Sequence, residues 1–397
     1  MTNDRKYFMR LGLLNARSLN TGSDELFVTV QKNIPDILAI NETWLKAGEE
    51  SLAPVLPGYK FLHKARQGKK GGGVGFYIRQ GINFRTQSHP ASILEQFWLE
   101  VRLSGVTLAI GTAYRPETVA VSDALDGISE SLNVMAHCDH TCFLGDLNID
   151  IIRKETTDAI ELGNFCKQHN LEQLIKEPTR ITETTRTIID VVITDIMSKC
   201  RGVQVIHNPC LSDHAMILVD FDIMKPKLIR QIKFRRKLSD INLEQFKYDL
   251  KSIPWHLVTA SNDVDIMVEM LNNHLISLFD IHAPLQKIIC KNTPKPWITS
   301  IIKFMMTLRD KALIKAHMKK NESSKNYYRD LKNLVTSATD REKRAFISNY
   351  INNTLHQPII MWHNLKNTVI PKVQQLTFLI ILMIRIKLML IFWIFLQ

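Results

Sequence analysis

Two short strings, Gly145-Asp146-Leu147-Asn148 and Ser212-Asp213-His214, bring carboxylates, an amide and an imidazole close together in the chain. In an extended segment side chains two apart share a face, so Asp146 and Asn148 can address one phosphate together. The preceding Cys142-Phe143-Leu144 reads as a buried strand, and Gly145 gives the backbone freedom to turn before Asp146. The design recurs where Asp213 and His214 stand at the mouth of a second apolar strand, Ala215–Asp222. Carboxylates and a histidine at the ends of several strands are what metal-assisted phosphodiester hydrolysis requires. Taken singly, an acid at a strand end is more often a turn former or a helix cap.

The elements that must position these groups follow one another in order. LGLLNARSL carries Asn15 and Arg17 to the end of an apolar strand, and DILAINETWL places Glu42 at the end of the next, just before Trp44. The glycine cluster Gly71–Arg79 opens a further strand, and LAIGTAYRP brings Tyr114 and Arg115 to another strand end. Then come GDLN, TTRTIIDVVITD with Asp190, and SDH. This ordered set resembles the endonuclease/exonuclease/phosphatase superfamily. The closer resemblance is to the endonuclease domain of LINE-type (non-LTR) retrotransposons, carried by NARSL, ETWL, GGGV, YRP, GDLNID, PTRIT and LSDH over about residues 8 to 222.

The resemblance implies a role for each matching residue. Glu42 and Asp213 become carboxylates on the metal side, for Mg²⁺ with Mn²⁺ as a substitute. Asp146 orients and deprotonates the attacking water, Asn148 holds water or phosphate, and His214 donates to a phosphoryl oxygen. Asp190 is the carboxylate that fixes the His214 tautomer, Tyr114 and Asn15 are polar positioners, and Arg17 and Arg115 contact phosphate or DNA. Two positions depart from the abasic-site endonucleases. Arg17 stands where those enzymes have an acid, as is common in the retrotransposon branch, and Leu147 replaces a phenylalanine.

Each residue also has a plainer reading. Glu42 could lead a helix capped by Asn41, Asp190 could be a strand acid satisfied by Arg180 or Arg186, His214 could be structural, and Tyr114 could be core. The plainer readings must all hold at once and in the family's order.

With 397 residues, 45% of them hydrophobic, the chain has room for a large α/β domain and a smaller unit. Helical patterns at Asp24–Ile34, Ser122–Met135 and Thr157–Asn170 alternate with apolar strands. The resemblance implies a four-layer sandwich of two packed mixed β-sheets flanked by helices, followed by an α-helical connector. The six cysteines form no CxxC pair and suit a reducing compartment; the cluster His137–Cys142 lacks zinc spacing and reads as structural. Residues 1–222 hold 23 Lys and Arg against 27 Asp and Glu, and the remainder holds 28 against 12. The whole positive excess therefore lies outside the nuclease-like part. DNA affinity is expected from local basic loops such as Lys64–Lys70 and from the basic second half.

That second half reads as helical over Leu238–Ile253, Asp263–Ile281, Trp297–Lys320 and Ser323–Asn353, with a basic stretch at Lys225–Lys237 and a loop from Pro284 to Pro296. PWIT at Pro296–Thr299 and WHNLKN at Trp362–Asn367 resemble the segment joining endonuclease to reverse transcriptase in these elements. The expected organisation is a nuclease domain over 1–222, a basic helical connector over 223–375 and an apolar tail over 376–397. Arg385 and Lys387 make the tail a poor membrane helix. Its Phe, Leu, Ile and Met content fits a frameshift near Gln375, with truncation before the polymerase. No secretory segment is expected at the start, so the reading is nuclear when acting on DNA, otherwise cytoplasmic.

The expected activity is metal-dependent nicking of double-stranded DNA, with element RNA as a second partner of the connector, no small-molecule cofactor and no membrane partner. Alternatives are a host abasic-site repair nuclease, marked by activity concentrated on abasic duplex, and a catalytically idle DNA-binding remnant, marked by lost metal binding. A phosphoinositide or sphingolipid phosphatase, tested by lipid turnover, comes third.

Overall fold

Nearly every residue of the first strand is buried, because each of its faces meets a different layer. Met9, Leu11 and Leu13 point into a core between two sheets, while Leu14 packs outward beneath a helix. A computed structural model describes residues 8–354 except 69–70, 91, 104, 183, 209, 226–231, 239–240, 259–262, 290–294 and 320. The expectations for the apolar tail and for WHNLKN lie outside the described residues.

The chain opens with β1 (Phe8–Asn15), α1 (Ser23–Asn33), β2 (Ile37–Asn41), β3 (Tyr59–Lys64) and β4 (Val74–Arg79). It continues through β5 (Asn83–Gln87), β6 (Glu95–Leu103), β7 (Val106–Tyr114), α2 (Val121–Val134), β8 (His140–Asp146) and α3 (Thr157–Gln168). After these come β9 (Glu172–Gln173), the ribbon β10 (Arg180–Ile181) and β11 (Arg186–Thr187), then β12 (Asp190–Thr194), β13 (Cys200–Ile206) and β14 (Met216–Met224). One six-stranded sheet has the order β13-β14-β1-β2-β4-β3, and the other β5-β6-β7-β8-β12-β9. Each contains one parallel pair, β1 with β2 and β7 with β8, bridged by α1 and α2 as crossover helices. All other pairings in these sheets are antiparallel.

The sheets face each other through Leu11, Leu13, Ile37 and Phe76 on one side and Leu99, Ile110, Leu144 and Val192 on the other. Burying each such side chain is worth about 1.5–3 kcal/mol. Outside one sheet, Leu26, Phe27 and Val30 of α1 cover Leu38, Ile40 and Tyr77. Outside the other, Ala124 and Ile128 of α2 and Leu162 and Phe165 of α3 cover Trp98, Phe143, Val191 and Ile193. The result is the expected four-layer sandwich of mixed sheets and flanking helices, with α1, α2 and α3 within a residue or two of their predicted spans. The His137–Cys142 segment is structural: His137 meets Glu100, Asp139 accepts from Thr107, and Cys142 fills the core.

By compactness the chain divides into two units, one formed by Met1–Leu228 with Thr293–Gln397 and the other by Ile229–Asn292. The smaller unit contains β15 (Ile232–Arg236), α4 (Leu243–Ser252), α5 (Trp255–Val258), α6 (Val264–His282) and β16 (Leu285–Ile289). Here the purely helical expectation is corrected, because β15 and β16 pair antiparallel from Ile232↔Ile289 to Arg236↔Leu285. The apolar–basic alternation of Ile232-Lys233-Phe234-Arg235 is a strand pattern hidden inside what reads as a charge run.

In the larger unit, α7 (Ser300–Lys319) and α8 (Glu322–Thr354) form a helical hairpin. Trp297, Ile302, Met306 and Val335 pack together against Val28 of α1. Arg309, 2% exposed, donates to both Glu25 oxygens at 2.6 and 3.1 Å, and Lys295 pairs with Asp24. A guanidinium this buried is tolerable only with its carboxylate in place. No helix among the described residues is long and apolar enough to cross a membrane.

Gly111 lies directly across from Trp98, and a Cβ there would meet the fully buried indole at 2.6 Å. Gly111→Ala should therefore destabilise this unit by about 1–3 kcal/mol, read as a lower urea midpoint by tryptophan fluorescence. An unchanged midpoint would mean the outer layer repacks freely.

Candidate active site

The alternation that fills the core also builds the site. Asn15 continues the inward face of Leu11 and Leu13, Asn41 that of Ile37 and Ala39, and Asp146 that of Cys142 and Leu144. Asp190 likewise shares the face of Val192, at the start of a strand running against β8 with Asp190 opposite Asp146. Parallel pairing sets Tyr114 beside Asp146. At this end of the sandwich a pocket of about 340 Å³ is lined by Glu42, Tyr114, Asp146, Asn148 and His214, with Arg17 and Asp213 at its side.

Asn15 donates from Nδ2 to Glu42 Oε1 at 2.8 Å and to Asp146 Oδ2 at 2.7 Å, tying two carboxylates together. The Trp44 indole donates to Glu42 Oε2 at 3.0 Å. The backbone N–H of Asn148 donates to Asp146 Oδ1 at 3.0 Å, and the Asn148 amide donates to the Arg115 carbonyl at 2.8 Å. His214 Nδ1 lies 2.9 and 3.1 Å from the two Asp190 oxygens and 3.7 Å from Asp146 Oδ2, so Nε2 is the nitrogen left for a ligand. Of seven non-glycine residues with positive φ among the described residues, Arg17, Glu42, Trp44 and Asn148 line this pocket. Backbone strain concentrated here is the mark of side chains aimed by the surrounding fold.

The charges are unequally compensated. Asp213 Oδ2 accepts from Arg180 at 3.1 and 3.2 Å and from Arg17 at 3.2 Å. Burial opposes its ionisation, but His214, Arg17 and Arg180 hold it below the usual carboxylate range. Glu42 has no ion-pair partner among the described residues. Burial, and then the charge of Asp190, push Asp146 up from its ordinary value. Burial works to depress His214, yet Asp190, Asp146 and Asp213 outweigh it and raise the imidazole to about 9. Burial, with Glu42 and Asp146 nearby, keeps the Tyr114 phenol protonated and able to donate.

The oxygen-rich donor set fits a hard divalent cation. Asp146, Asp190 and His214 place potential ligand atoms within 4.8 Å of one another, but His214 already closes that group by hydrogen bonding to Asp190. Glu42, uncompensated and facing the pocket, fits the cation better. Asp213, expected beside the metal, instead has its charge matched by two guanidinium groups. Arg115, expected on phosphate, is buried and donates to the Leu147, Asn148 and Val119 carbonyls, so it braces the loop after β8. Glu42 leads no helix, and Asp190 meets His214, leaving Arg180 to Asp213.

Sequence reading missed three residues. Asn41, wholly buried and read only as a possible cap, accepts from the Asp146 N–H and donates to Thr112 Oγ1, both at 2.9 Å, linking the sheets beneath the site. Thr179 accepts the Asp190 N–H at 3.2 Å through its hydroxyl, while its carbonyl accepts the Ala215 N–H at 2.7 Å. Ser212 accepts the His214 N–H at 3.1 Å. Their only signal is that Thr179 and Ser212 belong to the words PTRIT and LSDH and that Asn41 directly precedes ETWL.

Residues 108–218 match the family model described as endonuclease-reverse transcriptase. That span carries Tyr114, Asp146, Asn148, Asp190, Asp213 and His214. Among solved structures, the endonuclease domain of TRAS1, a telomere-specific non-LTR retrotransposon, is similar at 15% identity and a TM-score of 0.45, over 55% of this chain and 100% of that one. A 3′-5′ exonuclease from Neisseria meningitidis is similar at 17% identity and 0.43, over 54% and 100%. A mannosyl-6-phosphatase from Bacteroides thetaiotaomicron is similar at 14% identity and 0.43, over 53% and 98%. No curated protein matches the chain.

Two measurements probe the site. Asn41→Ala leaves the Asp146 N–H and the Thr112 hydroxyl without partners and should cost about 2–4 kcal/mol in urea unfolding. A wild-type midpoint would deny the bridge any weight. In metal-free buffer, Asp190→Asn should bring the NMR titration of His214 down from about 9 toward the ordinary imidazole value, because the lost carboxylate had favoured the cation. A curve still centred near 9 would assign the shift elsewhere.

Proposed function

We propose that this chain is a divalent-metal-dependent endonuclease that nicks double-stranded DNA and leaves a 3′-hydroxyl. The observation that carries this is one pocket holding an uncompensated carboxylate, Glu42, beside Asp146, with a carboxylate-backed imidazole across from them. Residues 1–222 supply the nuclease domain in this reading.

Asp146 takes the proton of the attacking water; its raised affinity for a proton suits a base working near neutral pH. Asn15 and the Asn148 N–H fix the two Asp146 oxygens, so the carboxylate need not reorganise as it acts. His214, held cationic by Asp190, donates from Nε2 to a non-bridging phosphoryl oxygen. The Tyr114 phenol is a further donor at the pocket wall. Arg17 and Arg180, already orienting one another through Asp213, present positive charge to the phosphate. Glu42 would hold Mg²⁺ or Mn²⁺, which would supply charge neutralisation at the phosphate and help to the leaving oxygen.

Full-length protein with Mg²⁺ should convert supercoiled plasmid to open circle, and EDTA should stop it. His214→Ala should slow nicking by at least about 100-fold, and Glu42→Gln should raise the Mg²⁺ concentration needed for half-maximal rate. Folded protein that never nicks would overturn the proposal, and cutting confined to abasic duplex would replace it with a repair activity.

A further inference from the structure

A larger cavity, of about 820 Å³, lies between the β10–β11 ribbon and the α7–α8 hairpin. The ribbon divides it from the catalytic pocket. In the cross-strand pair Arg180↔Thr187, Arg180 lines the catalytic pocket; in the next pair, Ile181↔Arg186, both side chains line the larger cavity. Neighbouring residues of one short strand thus face two cavities, as strand alternation requires.

The far wall of this cavity is built from Lys325, Tyr328, Arg329 and Lys332 of α8. Their spacing puts them on one face of the helix. Lys325 and Lys332 are about 10 Å apart along the axis, the rise of about three phosphates on one strand of a duplex. With Arg186 opposite, four cations line the cavity, and among the described residues no carboxylate does. Arg329 approaches Glu322 only to 3.9 Å, with both side chains more than half exposed, a pair that a phosphate displaces easily. Between the cations lie Leu313 and Ala316 of α7 and the Tyr328 ring, an apolar floor suited to the sugar faces of a backbone. The wall is held in place by the buried Arg309–Glu25 pair and the cluster around Trp297.

Resting on the nuclease reading above, we infer that this cleft is a second phosphate-binding surface, taking the sugar–phosphate backbone of duplex DNA on the side of the β10–β11 ribbon away from the catalytic pocket. The duplex then straddles the ribbon. One strand meets Arg180 and the catalytic groups, and the other meets Arg186 and the α8 stripe. A two-stranded ribbon is narrow enough to enter a major groove, so the arrangement needs no distortion of the duplex. The helical hairpin is accordingly part of the DNA grip.

The test is duplex binding by full-length protein in EDTA, where no cutting occurs, measured by fluorescence anisotropy over a salt series. Lys325→Glu, Arg329→Glu and Lys332→Glu combined should weaken binding at least tenfold and flatten the log–log salt dependence by about 2–3. The same charge change at Lys303, Lys311 and Lys315, exposed on α7 outside the cleft, should do much less. Equal losses from both triple variants would reduce the effect to net charge and overturn the inference. So would weakened binding of an RNA hairpin with duplex DNA affinity intact. The two readings fail separately. Protein that grips duplex through the cleft but never nicks refutes the nuclease assignment alone, and protein that nicks while the first variant binds like wild type refutes the cleft alone.

Discussion

Everything at the catalytic end depends on the two-residue period of strands that face each other across a dry core. Leucine, isoleucine and valine occupy that face along the strands, and Asn15, Asn41, Asp146 and Asp190 take it over where the strands end. Moving any of these strands by one residue would turn its polar group outward under a helix. Asn41 secures the arrangement by hydrogen bonding from one sheet to two strands of the other. A buried amide with both ends satisfied prescribes one relative position of the sheets, where apolar packing alone tolerates several.

The same geometry sorts three aspartates and a glutamate into different tasks. Asp190 serves the imidazole, Asp213 gathers two guanidinium groups, Asp146 is buried among other acids, and Glu42 stays half-buried without a counter-charge. These differences arise from neighbours rather than from residue type. The strained φ angles of Arg17, Glu42, Trp44 and Asn148 show how firmly the chain is held where it leaves the sheets.

Much of this was legible in the sequence. The resemblance carried by strand-end acids in a fixed order, bounded by apolar runs of five to nine residues, implied the sandwich, and it singled out Glu42, Tyr114, Asp146, Asn148, Asp190 and His214, which the fold gathers at one end of the sheets. What escaped depends on contacts made across the fold. Asn41 looks like a cap until a second sheet is placed against it. Arg115 follows a strand end as a phosphate ligand would, yet its guanidinium turns inward to a loop 32 residues away. Asp213 is an acid beside the site, and only the approach of Arg17 and Arg180 reveals that its charge is already matched. The β15–β16 pair was hidden because its alternate residues are basic, so the charge masked the period.

The ion pair between Arg309 and Glu25 joins residues 284 positions apart. A chain leaving the ribosome completes both sheets and the catalytic pocket once Met224 has emerged, but the wall formed by α7 and α8 must wait for some hundred residues more. The two sheets and the helical wall are therefore acquired at different moments of synthesis. For that interval the nascent protein holds both sheets complete while Glu25 still waits for the guanidinium that matches its charge.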